Sequence, residues 1–93
     1  MGASMTIERK LERIMKGGAN HRRIQILRLL ERQPGLAEFV IADELDANLK
    51  TISVHLQRLA HAGLVEKRYV GKRVAHTASP LGKHLLKFLR TLD

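Results

Sequence analysis

The apolar residues of the chain recur at helical spacing through most of its length. In residues 6–16 they fall three or four positions apart, which places them on one stripe of a helix. A second helix is predicted to begin after Asn20, a favourable N-cap, and to run to about Gln33, where Pro34 interrupts the pattern. Its apolar residues cover a wide arc, which indicates a helix buried at the centre of the fold.

Two further helices are predicted over residues 36–45 and 49–62, and a turn of three or four residues separates them. Asn48 is placed to cap the second of these helices, and Gly63 follows it, where a left-handed residue is favoured. The residues of the first helix that we expect to face inward are Phe39, Val40, Ile41 and Leu45.

The pattern changes after the fourth helix. Residues 64–78 are rich in β-branched and long side chains on both sides of Gly71, which predicts a β-hairpin with a tight turn at the glycine. Ser79 and Pro80 then form a strong helix start, and residues 80–92 place their leucines and Phe88 on one face. The predicted order is α-α-α-α-β-β-α, mainly α with a small β-hairpin.

Length and composition indicate one folded domain over residues 1–93, since 44% of the residues are hydrophobic. We interpret residues 1–4, before Met5, as an expression-vector remnant without function. The absence of cysteine excludes disulfides and thiolate metal sites, and the five histidines include no pair at helical metal-binding spacing. We therefore expect no metal and no cofactor.

No apolar run reaches the ~18 residues of a membrane span and no secretory signal is evident, so we expect a cytoplasmic protein without a membrane partner.

The net charge of +8 is concentrated in one part of the chain. Residues 50–90 contain nine Lys or Arg and a single acid, Glu66, whereas the remaining residues contain eight of each sign. A charge confined in this way is typical of a surface that binds a polyanion. The alternative is a basic surface that is merely solvated.

The helix pair at 36–62, followed by a basic hairpin at 64–78, has the plan of a winged helix-turn-helix. In that plan the second helix of the pair enters the DNA major groove and the hairpin, or wing, contacts the backbone. A lysine there can donate to guanine, and a glutamine can bind adenine through two hydrogen bonds. The residues that we predict to bind DNA from the helix are Asn48, Lys50, Thr51, Ser53, Val54, Gln57 and Arg58. Those that we predict to bind it from the wing are Lys67, Arg68, Lys72 and Arg73.

Residues 45–65 resemble the recognition segment of ArsR-type regulators. The matching elements are Thr-x-Ser-x-His-Leu at 51–56 and the exit Leu-x-x-Ala-Gly-Leu-Val at 59–65. Residues 21–30 are similar to the family's Arg-x-x-Ile-Leu helix, and Thr-x-x-Pro-x-Gly at 77–82 is similar to a junction in MarR- and PadR-type proteins.

The resemblance implies a homodimer on a palindromic operator, with helices 6–16 and 80–92 at the interface. Met15 and Leu86 are among the apolar residues that we expect such an interface to cover. Metal-sensing members have Cys-x-Cys on the third helix, which is absent here, so we expect no metal-sensing site. His55 stands at a position that the family usually fills with histidine, and we expect a structural or phosphate-contacting role for it.

These observations predict a sequence-specific, double-stranded DNA-binding transcriptional regulator, most simply a dimeric repressor. Two alternatives remain open at this point: a winged-helix module for protein–protein assembly, and an RNA binder that recognises shape. An enzyme is not expected, because the sequence offers no Gly-rich phosphate loop, no paired carboxylates and no nucleophile with an evident partner.

Overall fold

The computed structural model describes residues 9, 12–14, 16 and 20–92. Four helices lie entirely within the described residues: α1 (His21–Arg32), α2 (Glu38–Glu44), α3 (Leu49–His61) and α4 (Pro80–Arg90). The strands are β1 (Val65–Val70) and β2 (Arg73–Ala78). Residues 9, 12–14 and 16 are helical too, and we call them the N-terminal helix. The predicted order and fold class are confirmed. Residues 1–4 and Met15 lie outside the described residues.

The two predicted asparagine caps form as expected. Oδ1 of Asn20 accepts hydrogen bonds from the backbone N–H groups of Arg22 (2.9 Å) and Arg23 (3.4 Å) at the start of α1. Oδ1 of Asn48 does the same for Lys50 (2.8 Å) and Thr51 (3.3 Å) at the start of α3. Both caps satisfy backbone donors that have no partner within their own helix, and so they fix where each helix begins.

The wing is a two-stranded antiparallel hairpin tied to the segment before α2. Its register runs from Val65 opposite Ala78 to Val70 opposite Arg73, and Gly71 has φ +63° in the turn. The backbone N–H of His76 donates to the carbonyl of Leu36 (2.9 Å), and the His76 ring, which is buried, bonds the same oxygen through Nδ1 (3.0 Å). These bonds hold the base of the wing against the helix pair.

The core lies around α1 and contains aliphatic residues from every complete helix and from the start of β1. The fully buried ones are Ile26, Leu27, Leu29, Leu30, Ile41, Ile52, Leu56, Leu59, Leu64 and Leu86. Leu86 is therefore part of the domain's own core, and our expectation that a dimer interface covers it is wrong. By contrast, Phe88 on α4 and Leu92, which follows α4, are 59% and 67% exposed.

A second prediction, that Phe39 faces the core, is also wrong, because this side chain is 66% exposed. Helix α2 has only seven residues and buries Ile41 and Ala42. At ~100° of rotation per residue, Phe39 is turned about 110° away from the midpoint of that pair. The short helix cannot bury both faces against the core.

Hydrogen bonds at the base of the wing join the end of α3 to the start of α4. Gly63 has φ +79°, a conformation that favours glycine, and ends α3. The hydroxyl of Ser79 donates to the Gly63 carbonyl (2.6 Å) and accepts from the backbone N–H of Gly82 (3.0 Å). This buried serine connects the end of α3 to the beginning of α4, and Ser79 and Pro80 start that helix as predicted.

Candidate nucleic-acid interface

Helix α3 turns one face to the core and the opposite face to solvent. Ile52, Leu56 and Leu59 are buried. Five of the predicted DNA-binding residues form the exposed side, which we call the reading face: Lys50, Thr51, Val54, Gln57 and Arg58. Helical periodicity alone separates the two sets, because residues three and four apart share a face. The structure thus brings these five side chains together on one surface.

The other two predicted residues of this region have different surroundings. Ser53 is only half-exposed, at the edge of the reading face. Asn48 is exposed, but its side-chain oxygen is already used by the cap of α3, which leaves its amide N–H₂ for another partner. The main structural role of the Asn48 side chain is therefore to fix the start of α3.

The four predicted cations of the wing are all exposed, and none forms an ion pair with another residue in the part of the chain that the structure describes. Lys67 and Arg68 are successive residues of β1, so their side chains leave opposite faces of the hairpin. Lys72 lies in the turn, and Arg73 begins β2. The wing thus presents positive charge on both faces and at its tip.

Tyr69 is a wing residue that the sequence analysis did not single out. It is 77% exposed and pairs across the hairpin with Val74. Alternation along β1 places it on the same face as Lys67, which is the only signal in the sequence that could have found it.

His55 links the recognition helix to α1. Nε of Arg23 donates to Nδ1 of His55 at 3.2 Å. Burial, together with the positive charges of Arg23 and Arg22, lowers the pKa of His55 below its ordinary value of 6.5. The ring is consequently neutral at pH 7, with Nδ1 as acceptor and its proton on Nε2. Of the two expected roles for His55, this contact supports the structural one.

The comparison with known families agrees with this geometry. The sequence profile of the bacterial regulatory proteins of the arsR family matches residues 20–67, which extend from the cap of α1 through α2 and α3 into β1. The chain belongs to the arsR family. Its fold, a winged helix-turn-helix, is that of DNA-binding transcription regulators and not of enzymes.

Several solved structures are similar to this arsR-family protein over nearly the whole chain. A homodimeric winged helix-turn-helix DNA-binding domain from Mycobacterium bovis is 34% identical, with a TM-score of 0.85, and the match covers 95% of this chain and 82% of that one. HlyU from Vibrio cholerae, in its reduced form, is 28% identical, with a TM-score of 0.81 and coverage of 99% and 97%. NolR from Sinorhizobium fredii, 19% identical with a TM-score of 0.86 and coverage of 99% and 92%, shares the fold. A search among curated proteins finds no match.

Among its described residues, this arsR-family protein has neither a candidate metal-binding cluster nor a candidate membrane span. Within residues 20–92 and the described part of the N-terminal helix, no group of three or more His, Cys, Asp or Glu side chains is placed to hold a metal ion. Over the same residues, no helix has the length and apolar character needed to cross a membrane.

Proposed function

We propose that this arsR-family protein is a homodimeric repressor that binds double-stranded DNA at specific sequences in the cytoplasm. The observation that supports this most strongly is the charge of the surface formed by the reading face and the wing. Residues 47–78, which include α3 and the wing, contain a single acid, Glu66 at the start of β1, while every wing cation is exposed. The acids of the helix pair lie on α2 (Glu38, Asp43 and Glu44) and in the turn after it (Asp46), and none lies on α3.

In this proposal the reading face supplies sequence recognition. Lys50 and Gln57 offer hydrogen-bond donors and acceptors that match guanine and adenine edges in the major groove. Thr51 and Val54 offer methyl groups for contact with thymine. Arg58 and the half-exposed Ser53 flank this set, and the Asn48 amide stands at the N-terminal end of the helix, where groove-entering helices contact DNA.

The wing supplies affinity that does not depend on sequence. Its four cations lie close together along a short hairpin, so they can follow a phosphate backbone or reach into the minor groove. Each phosphate that they neutralise releases condensed counterions, which makes binding weaker as salt rises.

The homodimer is supported by apolar surface on α4 and directly after it that the domain does not bury. Leu81, Phe88 and Leu92 are 38%, 59% and 67% exposed. The Mycobacterium bovis relative is described as homodimeric. An isologous contact through α4 and the N-terminal helix would cover this surface and present two reading faces to successive turns of one DNA groove. Repression then follows from occupation of a promoter, and the proposal includes no metal-sensing step because the chain has no cysteine.

A salt titration of DNA affinity tests the proposal. Affinity for a 30-base-pair duplex is measured by fluorescence anisotropy from ~50 to ~200 mM salt, for the wild type and for Lys72→Ala and Arg73→Ala. We expect each change to weaken binding on all sequences and to reduce the slope of log K against log salt by about 0.9. The matched control is Arg32→Ala, which removes an exposed cation at the far end of α1.

The result also separates the alternatives. If no DNA binding occurs at ~50 mM salt, the proposal is wrong and an assembly module is favoured. If A-form duplex RNA competes as well as DNA does, recognition is by shape, since the narrow major groove of RNA does not admit a helix.

A further inference from the structure

A second basic surface lies outside the reading face and the wing. A cleft of about 700 Å³ separates the N-terminal helix from the C-terminal half of α3. Among the described residues that line it, five of nine are Lys or Arg: Arg9, Arg13, Lys16, Arg23 and Arg58. We call it the basic cleft. Its volume is that of small-molecule sites, which run from roughly 300 to 1,000 Å³.

The charge of the basic cleft is largely uncompensated. The one acid among its described lining residues is Glu12, whose carboxylate is paired with Lys16 at 2.8 Å. Arg9, Arg13 and Arg58 form no ion pair with any other residue in the described part of the chain. Arg9, Arg13 and Arg58 line the same concave surface, so their like charges raise the local positive potential, and a bound anion would be attracted to it.

The walls of the basic cleft are held together by Arg23. Its Nη1 donates to the backbone carbonyl of Lys16 (3.0 Å), and its Nε donates to His55 on α3 (3.2 Å). One half-buried side chain thus joins the N-terminal helix, α1 and α3. A cleft whose walls are fixed in this way loses less entropy when a ligand binds than a set of independent surface cations does.

We propose that the basic cleft binds the phosphate group of a ligand, with Arg9 and Arg13 on one wall and Arg58 on the other. Guanidinium groups suit this task because their planar N–H donors match phosphate oxygens in pairs. Val54 and Ala62 add apolar surface to the same cleft, which leaves room for an organic part of the ligand. The phosphate comes either from a free phosphorylated small molecule or from the backbone of bound DNA.

Arg9 and Arg13 belong to neither the reading face nor the wing, so a phosphate site at these residues is additional to the proposed function. The basic cleft nevertheless adjoins the reading face. Val54 and Arg58 line the basic cleft and also belong to the reading face. A ligand in the cleft therefore contacts the helix that we propose to read DNA.

The first experiment uses the full chain without DNA, so its outcome does not depend on DNA binding. Inorganic pyrophosphate is titrated calorimetrically into the wild type and into Arg13→Gln and Arg58→Gln. We expect saturable binding that each variant weakens about tenfold or more, as the loss of a charge-assisted hydrogen bond implies. Arg32→Gln and Lys72→Gln are matched controls that remove an exposed cation elsewhere and should bind as the wild type does. Equal melting temperatures show that the variants fold.

The second experiment identifies the source of the phosphate. The salt slope of DNA binding is compared between the wild type and Arg13→Gln. A slope reduced by about 0.9 assigns the site to the DNA backbone. An unchanged slope, with pyrophosphate binding lost in Arg13→Gln, assigns it to a free phosphorylated ligand. The proposal is overturned if Arg13→Gln matches the wild type in both measurements, or if Lys72→Gln abolishes pyrophosphate binding.

Discussion

Replacement of Gly82 by alanine tests the junction between α3, the wing and α4. Gly82 is buried at the third position of α4, and a Cβ atom there would overlap the carbonyl oxygen of Leu64. It would also lie 3.3 Å from Cδ2 of Leu27, closer than ordinary van der Waals contact. The backbone of Leu64 cannot easily yield, because its N–H is bonded to Leu59 (2.9 Å) and its carbonyl to the N–H of Ser79 (3.0 Å).

Two opposing effects decide the magnitude of this change. Alanine is favoured over glycine inside a helix by about 1 kcal/mol. Overpacking a tight core costs about 1–3 kcal/mol, occasionally more, and the upper end applies here because the obstacle is backbone. We therefore expect Gly82→Ala to lower the free energy of unfolding by about 2 kcal/mol. For a domain of this size that corresponds to a fall in Tm of about 8–16 °C.

The assay is thermal and urea unfolding at one fixed protein concentration, since dimerisation makes stability depend on concentration. Lys83→Ala is the matched control, because it makes the neighbouring change on the exposed side of α4 and should stay within about 0.5 kcal/mol of the wild type. A Gly82→Ala variant as stable as the wild type, or more stable, would refute the reasoning, because helix propensity would then outweigh the contact with Leu64.

Three other changes probe separate parts of the molecule. Ser79→Ala should lower the free energy of unfolding in urea by about 2 kcal/mol, because it removes the cap of α4 and leaves the Gly63 carbonyl without its donor; a loss below about 0.5 kcal/mol would contradict this. Since the fold lowers the pKa of His55, the stabilisation from its neutral form is present above pH 6.5 and is lost as the pH falls through the lowered pKa. Wild type should accordingly lose more unfolding free energy than His55→Gln between pH 7 and about pH 5, and parallel profiles would contradict the lowered pKa of His55. Phe88→Asp places a charge on the exposed apolar face of α4 and should convert the dimer to a monomer in light scattering, whereas an unchanged mass would exclude that face from the interface.

The sequence predicts best those features that depend on a few neighbouring residues. Asn20, Asn48 and the pair Ser79-Pro80 each start a helix where predicted, because capping requires only a side-chain oxygen near the first helical N–H groups. The turn of the wing at Gly71 is local in the same sense. The five residues of the reading face follow from helical periodicity once the ends of α3 are known.

Features that depend on residues distant in the sequence could not be predicted from local patterns. Phe39 was expected in the core, and Leu86 at an interface, because periodicity identifies an apolar side chain but not the element that covers it. The basic cleft depends on the N-terminal helix packing beside α3, so the proximity of Arg13 to Arg58 has no signature in either segment alone. The contact of Gly82 with Leu64 likewise exists only because the chain folds back on itself.

Selection of bound sequences from random duplex DNA tests most directly whether α3 reads bases. We expect the wild type to enrich an inverted repeat whose half-sites lie about 10 base pairs apart, one helical turn. Lys50→Ala and Gln57→Ala should each relax the preference at one position per half-site, by about 1–3 kcal/mol, and leave salt-dependent binding in place. Binding without any enriched sequence, or the same enriched sequence from both variants, would contradict the central claim.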